Sequence, residues 1–159
     1  MRRLAFFILS LGILYGCGQL DYIRYLPRED TERRIHPSLG MIIYNKSGEL
    51  LDEKRWIMIF LVTNAGFDSF KQCVGVMDRE LEEQLKNSPV VMIGSDRSRF
   101  PGDSDAFTDL ERIFIRQKYY DEGSLIAEWL HIYFWLSGQH LFGDYSHSDP
   151  LFKKCKNFR

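Results

Sequence analysis

The sequence predicts one α+β domain, in which a small sheet of short strands packs with several helices. Residues 125–136 are apolar on nearly every side of a helical wheel, which indicates a buried helix. The short apolar run at residues 90–93 is followed by Gly94 and fits a compact buried strand. Residues 112–116 alternate polar and apolar side chains, a pattern typical of an edge strand.

In the N-terminal half, residues 39–44 form a short apolar run that ends in an Asn-Lys-Ser-Gly turn signal at residues 45–48. A strand followed by a turn is therefore expected. Residues 56–62 are seven apolar residues in a row, which fit either a buried strand or a buried helix. The helix is the favoured interpretation.

Three apolar residues spaced four apart predict a helix over residues 77–86 that stops at Asn-Ser-Pro. Residues 95–109 are rich in Ser, Asp, Gly and Pro and predict a long loop. The central helix that follows is expected to begin at a Ser124 cap and to end at Gly138. A loop rich in Gly, His and Asp comes next, and a basic tail closes the chain.

The first residues have the features of a bacterial lipoprotein leader. Arg2 and Arg3 precede an apolar run at residues 4–14, which is shorter than the roughly 20 residues of a membrane span but typical of a secretory signal. The string Leu-Tyr-Gly-Cys at residues 14–17 resembles a lipobox, in which Cys17 is lipidated and becomes the new N-terminus. An ordinary signal peptide with a chance cysteine and an uncleaved anchor are the alternatives.

This leader predicts the organisation of the whole chain. Residues 1–16 would be the signal peptide, residues 17–36 a lipidated tether, and residues 37–159 a single folded domain. The protein is then expected in the bacterial cell envelope, held to the membrane by its N-terminal lipid. Gly18 follows the cysteine, instead of the aspartate that commonly retains such proteins at an inner membrane. In a Gram-negative host the outer membrane is therefore expected, facing either the periplasm or the surface.

Composition excludes several functions. The chain has 21 basic and 22 acidic residues, and loss of the leader with its two arginines leaves a net charge near −3. There is no basic stripe of the kind that binds nucleic acid. A Gly-x-Ser-x-Gly nucleophile elbow and a phosphate-binding glycine loop are also absent from the sequence.

Three cysteines occur, and lipidation of Cys17 leaves Cys73 and Cys155. Two remaining cysteines in an exported protein predict a disulfide. It would close a loop of about 80 residues and stabilise the fold by roughly 3–4 kcal/mol in the chain-entropy model. Two buried free thiols are the alternative.

The most informative motif is Ala127-Glu128-Trp129-Leu130-His131 in the apolar helix. Glu128 and His131 are three apart and share one helical face. In a His-Glu-x-x-His zinc peptidase the two histidines bind the metal and the glutamate deprotonates a zinc-bound water, but here Ala127 stands at the first histidine. A simple structural Glu–His hydrogen bond is the alternative, because burying either group without a partner costs several kcal/mol.

This motif, Gly138, the string His-Ser-Asp-Pro-Leu-Phe at residues 147–152 and Cys155 together resemble small secreted zinc-metallopeptidase-like proteins of bacteria. The upstream string Cys73-Val74-Gly75 also fits, and the resemblance covers about the last ninety residues. It implies a zincin-like fold, in which a strand precedes the motif helix and a distal histidine follows a variable loop. It further implies Glu128 as catalytic base, and His131 and His147 as zinc ligands.

Ala127 departs from that family pattern, because a catalytic zinc ion normally has three protein ligands. His140 or Asp144 could supply the missing ligand, or both could be ordinary loop residues. Three functions therefore compete. They are a lipid-anchored pseudo-enzyme that binds an extended peptide along the 112–116 strand, an active zinc hydrolase with a relocated ligand, and an envelope interaction protein that never held a metal.

Overall fold

The computed structural model describes residues 25–94, 104–140 and 143–156, which form a mixed five-stranded sheet and four helices. The strands are β1 (Glu32–Ile35), β2 (Ile42–Lys46), β3 (Val90–Ile93), β4 (Ala106–Thr108) and β5 (Ile113–Arg116). The helices are α1 (Glu53–Val74), α2 (Arg79–Lys86), α3 (Glu122–Leu136) and α4 (Pro150–Lys156). The α+β class is confirmed. The expected signal peptide and Cys17 lie outside the described residues.

The sheet has the strand order β1-β2-β3-β5-β4. Strands β2, β3 and β5 run parallel, and β1 and β4 are antiparallel strands at the two edges. Helices connect β2 to β3, as a parallel pairing requires. Strand β3 is short, apolar and fully buried, as predicted for residues 90–93.

Alternation along these strands divides the core into two clusters. On one side, Val90 and Met92 of β3 join the main cluster, which also contains the buried faces of α1, α3 and α4. On the other side, Val91 and Ile93 join a smaller cluster that is covered by Tyr25. Residues of all four helices belong to the main cluster, so the helices lie on one face of the sheet.

Helix α1 confirms the helical interpretation of residues 56–62. Asp52 caps its N-terminus by accepting a hydrogen bond from the backbone N–H of Arg55 at 2.8 Å. Its buried stripe follows helical spacing and packs on α3, where Phe67 and Phe70 contact Trp129. The aromatic contacts between α1 and α3 form the centre of the core.

Helix α2 is also confirmed, although it begins at Arg79 instead of residue 77. Asp78 provides the cap, because its carboxylate accepts a hydrogen bond from the backbone N–H of Leu81. In α3 the cap is likewise an aspartate, Asp121, and not Ser124 as predicted. The N–H of Ser124 donates to the Asp121 carboxylate at 2.8 Å, so the serine is the third residue of the helix.

The expectation that residues 112–116 form an edge strand is wrong. Strand β5 lies between β3 and β4, and all four of its residues are buried. The polar residue Arg116 accounts for the misleading alternation. It is fully buried, and its Nε donates to the backbone oxygen of Ser104 at 3.2 Å.

Two segments expected to lack regular structure contain strands. β1 lies within residues 17–36, for which a tether was expected, and it pairs with β2 along its whole length. β4 lies within the loop predicted over residues 95–109, of which residues 95–103 fall outside the described part. Both strands are only three or four residues long, so pairing with their neighbours and not their own sequences determines them.

Cys73 at the end of α1 and Cys155 in α4 form the predicted disulfide. Both residues are buried in the main cluster. The bond fixes α4 against α1, and Lys154 strengthens this contact by donating to the backbone oxygen of Cys73 at 2.7 Å. The sequence did not predict α4 as a helix, although Pro150 at its first position is a common start.

Within the described ranges, none of the helices combines the length and apolarity needed to cross a bilayer.

Replacing Cys73 and Cys155 together by serine should lower the free energy of unfolding by about 3–4 kcal/mol, because the unfolded chain gains the freedom of a long open loop. Urea unfolding of the double variant and the oxidised wild type measures this difference. Reduced wild type is the control and should match the variant. Equal stability of oxidised and reduced wild type would contradict the prediction.

Candidate functional site

Helix α3 carries Glu128 and His131 into the interior. Their exposed fractions are only 6% and 3%, although both are polar. The two residues lie one helical turn apart, as their spacing predicted. They do not form the direct Glu–His hydrogen bond that was the structural alternative, because His131 has other partners at both ring nitrogens.

His131 is fixed by two hydrogen bonds. Its Nδ1 lies 2.7 Å from the backbone oxygen of Gly143, which can only accept, so Nδ1 carries the proton. Its Nε2 lies 3.0 Å from Nε2 of His147. In the neutral ring this Nε2 is an acceptor, and the N–H of His147 donates to it. Burial is the largest cause that lowers the pKa of His131, so the neutral form is favoured.

The loop that carries His147 has a tightly constrained backbone. Gly143 has φ of 73°, and a Cβ there would lie 2.6 Å from the backbone oxygen of His131, so only glycine fits. Asp144 and His147 also have positive φ, which is uncommon for residues with side chains. The loop is therefore held in a conformation that presents His147 to the helix.

Asp144 holds this loop together. Its carboxylate accepts hydrogen bonds from the hydroxyls of Ser146 and Ser148 and from the backbone N–H of Asp149. The Ser146 hydroxyl is the largest cause that holds the pKa of Asp144 below its ordinary value. Asp144 is thus an organiser of the loop.

Two aromatic rings contact the imidazole pair. Tyr145 stacks on His131 with ring centroids 4.8 Å apart, and Phe152 contacts both imidazoles at 4.9 and 4.4 Å. The Tyr145 hydroxyl also donates to the backbone oxygen of Thr108 in β4 at 2.7 Å. This ring therefore joins the imidazole pair to the edge of the sheet.

Glu128 is a buried carboxyl group with an unsatisfied oxygen. Within the described part of the chain, its Oε2 has no hydrogen-bond partner. Burial raises the pKa of Glu128 to about 8, so the group is mostly protonated at neutral pH. A buried polar atom without a partner is uncommon in a folded protein and calls for an explanation.

Ala127 faces a cavity beside the imidazole pair. The cavity has a volume of about 500 Å³ and is lined, among others, by Asp105, Asp121, Ala127, Leu130, His147 and Phe152. We call it the Ala127 pocket. An imidazole at position 127 would enter the same space that His147 borders.

His140 and Asp144, the two candidates for a relocated ligand, are both engaged elsewhere. His140 Nε2 lies 2.9 Å from the carboxylate of Asp149, and Asp144 organises the loop. Across residues 25–94, 104–140 and 143–156, no group of three or more His, Cys, Asp or Glu side chains is arranged to share a metal ion.

Sequence reasoning selected His131 and His147, which the structure brings together, and Glu128, which it buries on the same helix. It missed Gly143 and Tyr145, because neither residue belongs to the motif. A glycine twelve residues beyond His131 gives no signal by itself, since the turn that brings its oxygen to the ring is determined by Asp144.

Comparison of the chain with protein families, with curated proteins and with solved structures finds no match.

Glu128 should make the protein less stable as the pH rises from 6.5 to 8. In this range the carboxyl is ionised in the unfolded chain and mostly protonated in the folded one, so the folded state binds more protons. The free energy of unfolding should fall by about 2 kcal/mol more in wild type than in Glu128→Gln. Urea unfolding at pH 6.5, 7.2 and 8 measures the two slopes.

The pH range of the stability change distinguishes the effect of Glu128 from that of His131. The pKa of His131 is lowered in the folded state. Its contribution to the free energy of unfolding is therefore complete above its unfolded pKa of about 6.5 and is lost as the pH falls below that value. Parallel slopes for the two proteins between pH 6.5 and 8 would show that Glu128 is ionised in the folded state.

Proposed function

We propose that this chain is a lipid-anchored protein of the bacterial cell envelope whose domain is a zinc-metallopeptidase-like pseudo-enzyme. In this proposal the domain binds an extended peptide and does not hydrolyse it. The single observation that carries the metallopeptidase part is the 3.0 Å contact between the Nε2 atoms of His131 and His147.

That distance is close to the separation of two nitrogens on one zinc ion. Zinc–nitrogen bonds of about 2.0–2.1 Å at a tetrahedral angle place two ligand nitrogens about 3.3 Å apart. The hydrogen bond from His131 Nδ1 to a backbone oxygen is also the usual support for a zinc-binding histidine, because it fixes the tautomer and the ring. A buried imidazole and an exposed one in direct contact, arranged in this way, support descent from a metal site.

The residues present do not complete such a site. Ala127 has no group that could bind a metal, and two imidazoles alone hold zinc weakly compared with the usual three ligands. Glu128, the expected base, is mostly protonated at neutral pH, and a protonated carboxyl is a poor base toward water. These features favour a pseudo-enzyme, and no zinc-dependent step is inferred.

The contacts of His140 and Asp144 do not favour the alternative of an active hydrolase. Recruiting Asp144 to a metal would break three hydrogen bonds that shape the loop carrying His147. Recruiting His140 would break its contact with Asp149. Either change would disturb the histidine that must remain a ligand.

Edge strand β4 is the surface we propose for peptide binding, in place of residues 112–116. Asp105 and Asp109 exchange backbone hydrogen bonds with β5, so the alternate residues Ala106 and Thr108 direct their backbone groups away from β5. The Tyr145 hydroxyl donates a hydrogen bond to the backbone oxygen of Thr108. Among the described residues, the N–H and oxygen of Ala106 and the N–H of Thr108 have no backbone partner, so they can pair with an added strand.

Restoring the missing imidazole with Ala127→His should create a zinc site and raise zinc affinity at least 100-fold over wild type. The new ring would meet His131 and His147, which are already paired. Competition with a chromogenic chelator measures the affinity. The matched control, Ala127→His with His147→Ala, should lose the gain, and a variant that binds no more zinc than wild type would refute the metallopeptidase ancestry.

The lipid anchor is tested separately in living cells. Radiolabelled palmitate should enter the wild-type protein and be absent from Cys17→Ser, because only this cysteine follows the lipobox-like string. Label that persists in Cys17→Ser would contradict anchoring at that position and would leave the argument for the domain unchanged.

A further inference from the structure

We infer that the Ala127 pocket receives a long basic side chain, arginine or lysine, from a peptide paired with β4. This inference names the ligand chemistry of the proposed peptide site and rests on that proposal. It follows from the position of the pocket, from its charges and from its apolar wall.

The pocket lies at the start of the free sheet edge. Asp105, one of its lining residues, directly precedes Ala106, whose backbone groups point away from β5. Successive side chains of a strand point to opposite sides of the sheet. A peptide that pairs with Ala106 therefore has a side chain within one or two positions of the pocket mouth.

The charges at the pocket favour a cation. Two aspartates line it, and no lysine or arginine does so among the described residues. Within that part of the chain, the carboxylate of Asp105 takes part in no hydrogen bond or ion pair. Asp121 accepts two hydrogen bonds from Ser124, which leaves acceptor capacity on both of its oxygens.

The walls of the pocket suit the stem of such a side chain. Ile126, Leu130 and Phe152 provide an apolar surface, and all three are buried in the main cluster. Arginine and lysine bury their methylene groups on apolar surface while the charged end stays near polar partners. The volume of about 500 Å³ lies within the range of small-ligand pockets and exceeds what one side chain needs.

The small side chain of Ala127 leaves space in the pocket. In a complete metal site this position would hold an imidazole, which would occupy space that the alanine leaves open. A single substitution of histidine by alanine at position 127 would thus remove a metal ligand and open a side-chain pocket. Binding specificity would replace hydrolysis at the same place.

The test uses the mature chain with Cys17→Ser, which lacks the lipid and retains every described residue. The probes are four fluorescent heptapeptides with β-branched flanks that differ only at the central residue, which is arginine, lysine, citrulline or norleucine. By fluorescence anisotropy, the arginine and lysine peptides should bind at least tenfold more tightly than the citrulline and norleucine peptides. The preference should shrink as salt is added.

The double variant Asp105→Asn with Asp121→Asn should abolish this preference. Asparagine still caps a helix, so α3 keeps its start while the pocket loses both charges. The matched control is Asp68→Asn with Asp78→Asn, which removes one acid and one helix-capping aspartate that do not line the pocket. The control should bind all four peptides as the parent chain does.

Each outcome decides between the two proposals. Equal binding of all four peptides, or a preference that survives in Asp105→Asn with Asp121→Asn, overturns the basic pocket and leaves pairing at β4 standing. If no peptide binds, the Ala127 methyl resonance is followed by NMR during addition of Nα-acetylarginine methylamide and its citrulline analogue. A shift with the arginine compound alone supports the pocket and overturns β4 pairing, and no shift with either overturns both.

Discussion

The fold depends on burying a helix that has almost no polar side. Of the fifteen residues of α3, nine are buried, and they are distributed around its whole circumference. Such a helix is stable only if other elements cover it in every direction. The sheet covers one side, α1 covers another through Trp129 and its phenylalanine partners, and α4 and the 143–149 loop cover the rest. The disulfide between α1 and α4 stabilises this arrangement, because it joins two of the helices that pack around α3.

The same burial determines the protonation states of the two buried polar residues of α3, His131 and Glu128. His131 satisfies both ring nitrogens with groups from the loop, so its burial is compensated. Glu128 lacks such compensation at Oε2 and keeps its proton instead. A helix that evolved only for packing would gain stability from an apolar residue at position 128. The carboxyl at position 128 is therefore not explained by packing alone.

Much of this architecture could be predicted from local patterns. The apolar run at β3, the periodicity of α2 and the apolar α3 each specify an element by composition alone. The neighbours of each element could not be predicted. The pattern around Arg116 suggested an exposed edge, since a fully buried arginine that donates to a backbone oxygen looks identical in sequence to one in solvent. The family resemblance singled out His131 and His147 together, whereas the positions of Tyr145 and Gly143 depend on the turn that Asp144 builds.

Tyr145 links the His131 imidazole to the edge strand β4. Its ring lies on His131, and its hydroxyl occupies the last outward oxygen of β4. A strand that extends as far as Thr108 must compete for that oxygen and release the tyrosine. Occupancy of the sheet edge and shielding of the imidazole are then energetically coupled, and the coupling acts equally in both directions. Loss of the Tyr145 ring would therefore release the Thr108 oxygen and uncover one face of His131 at the same time.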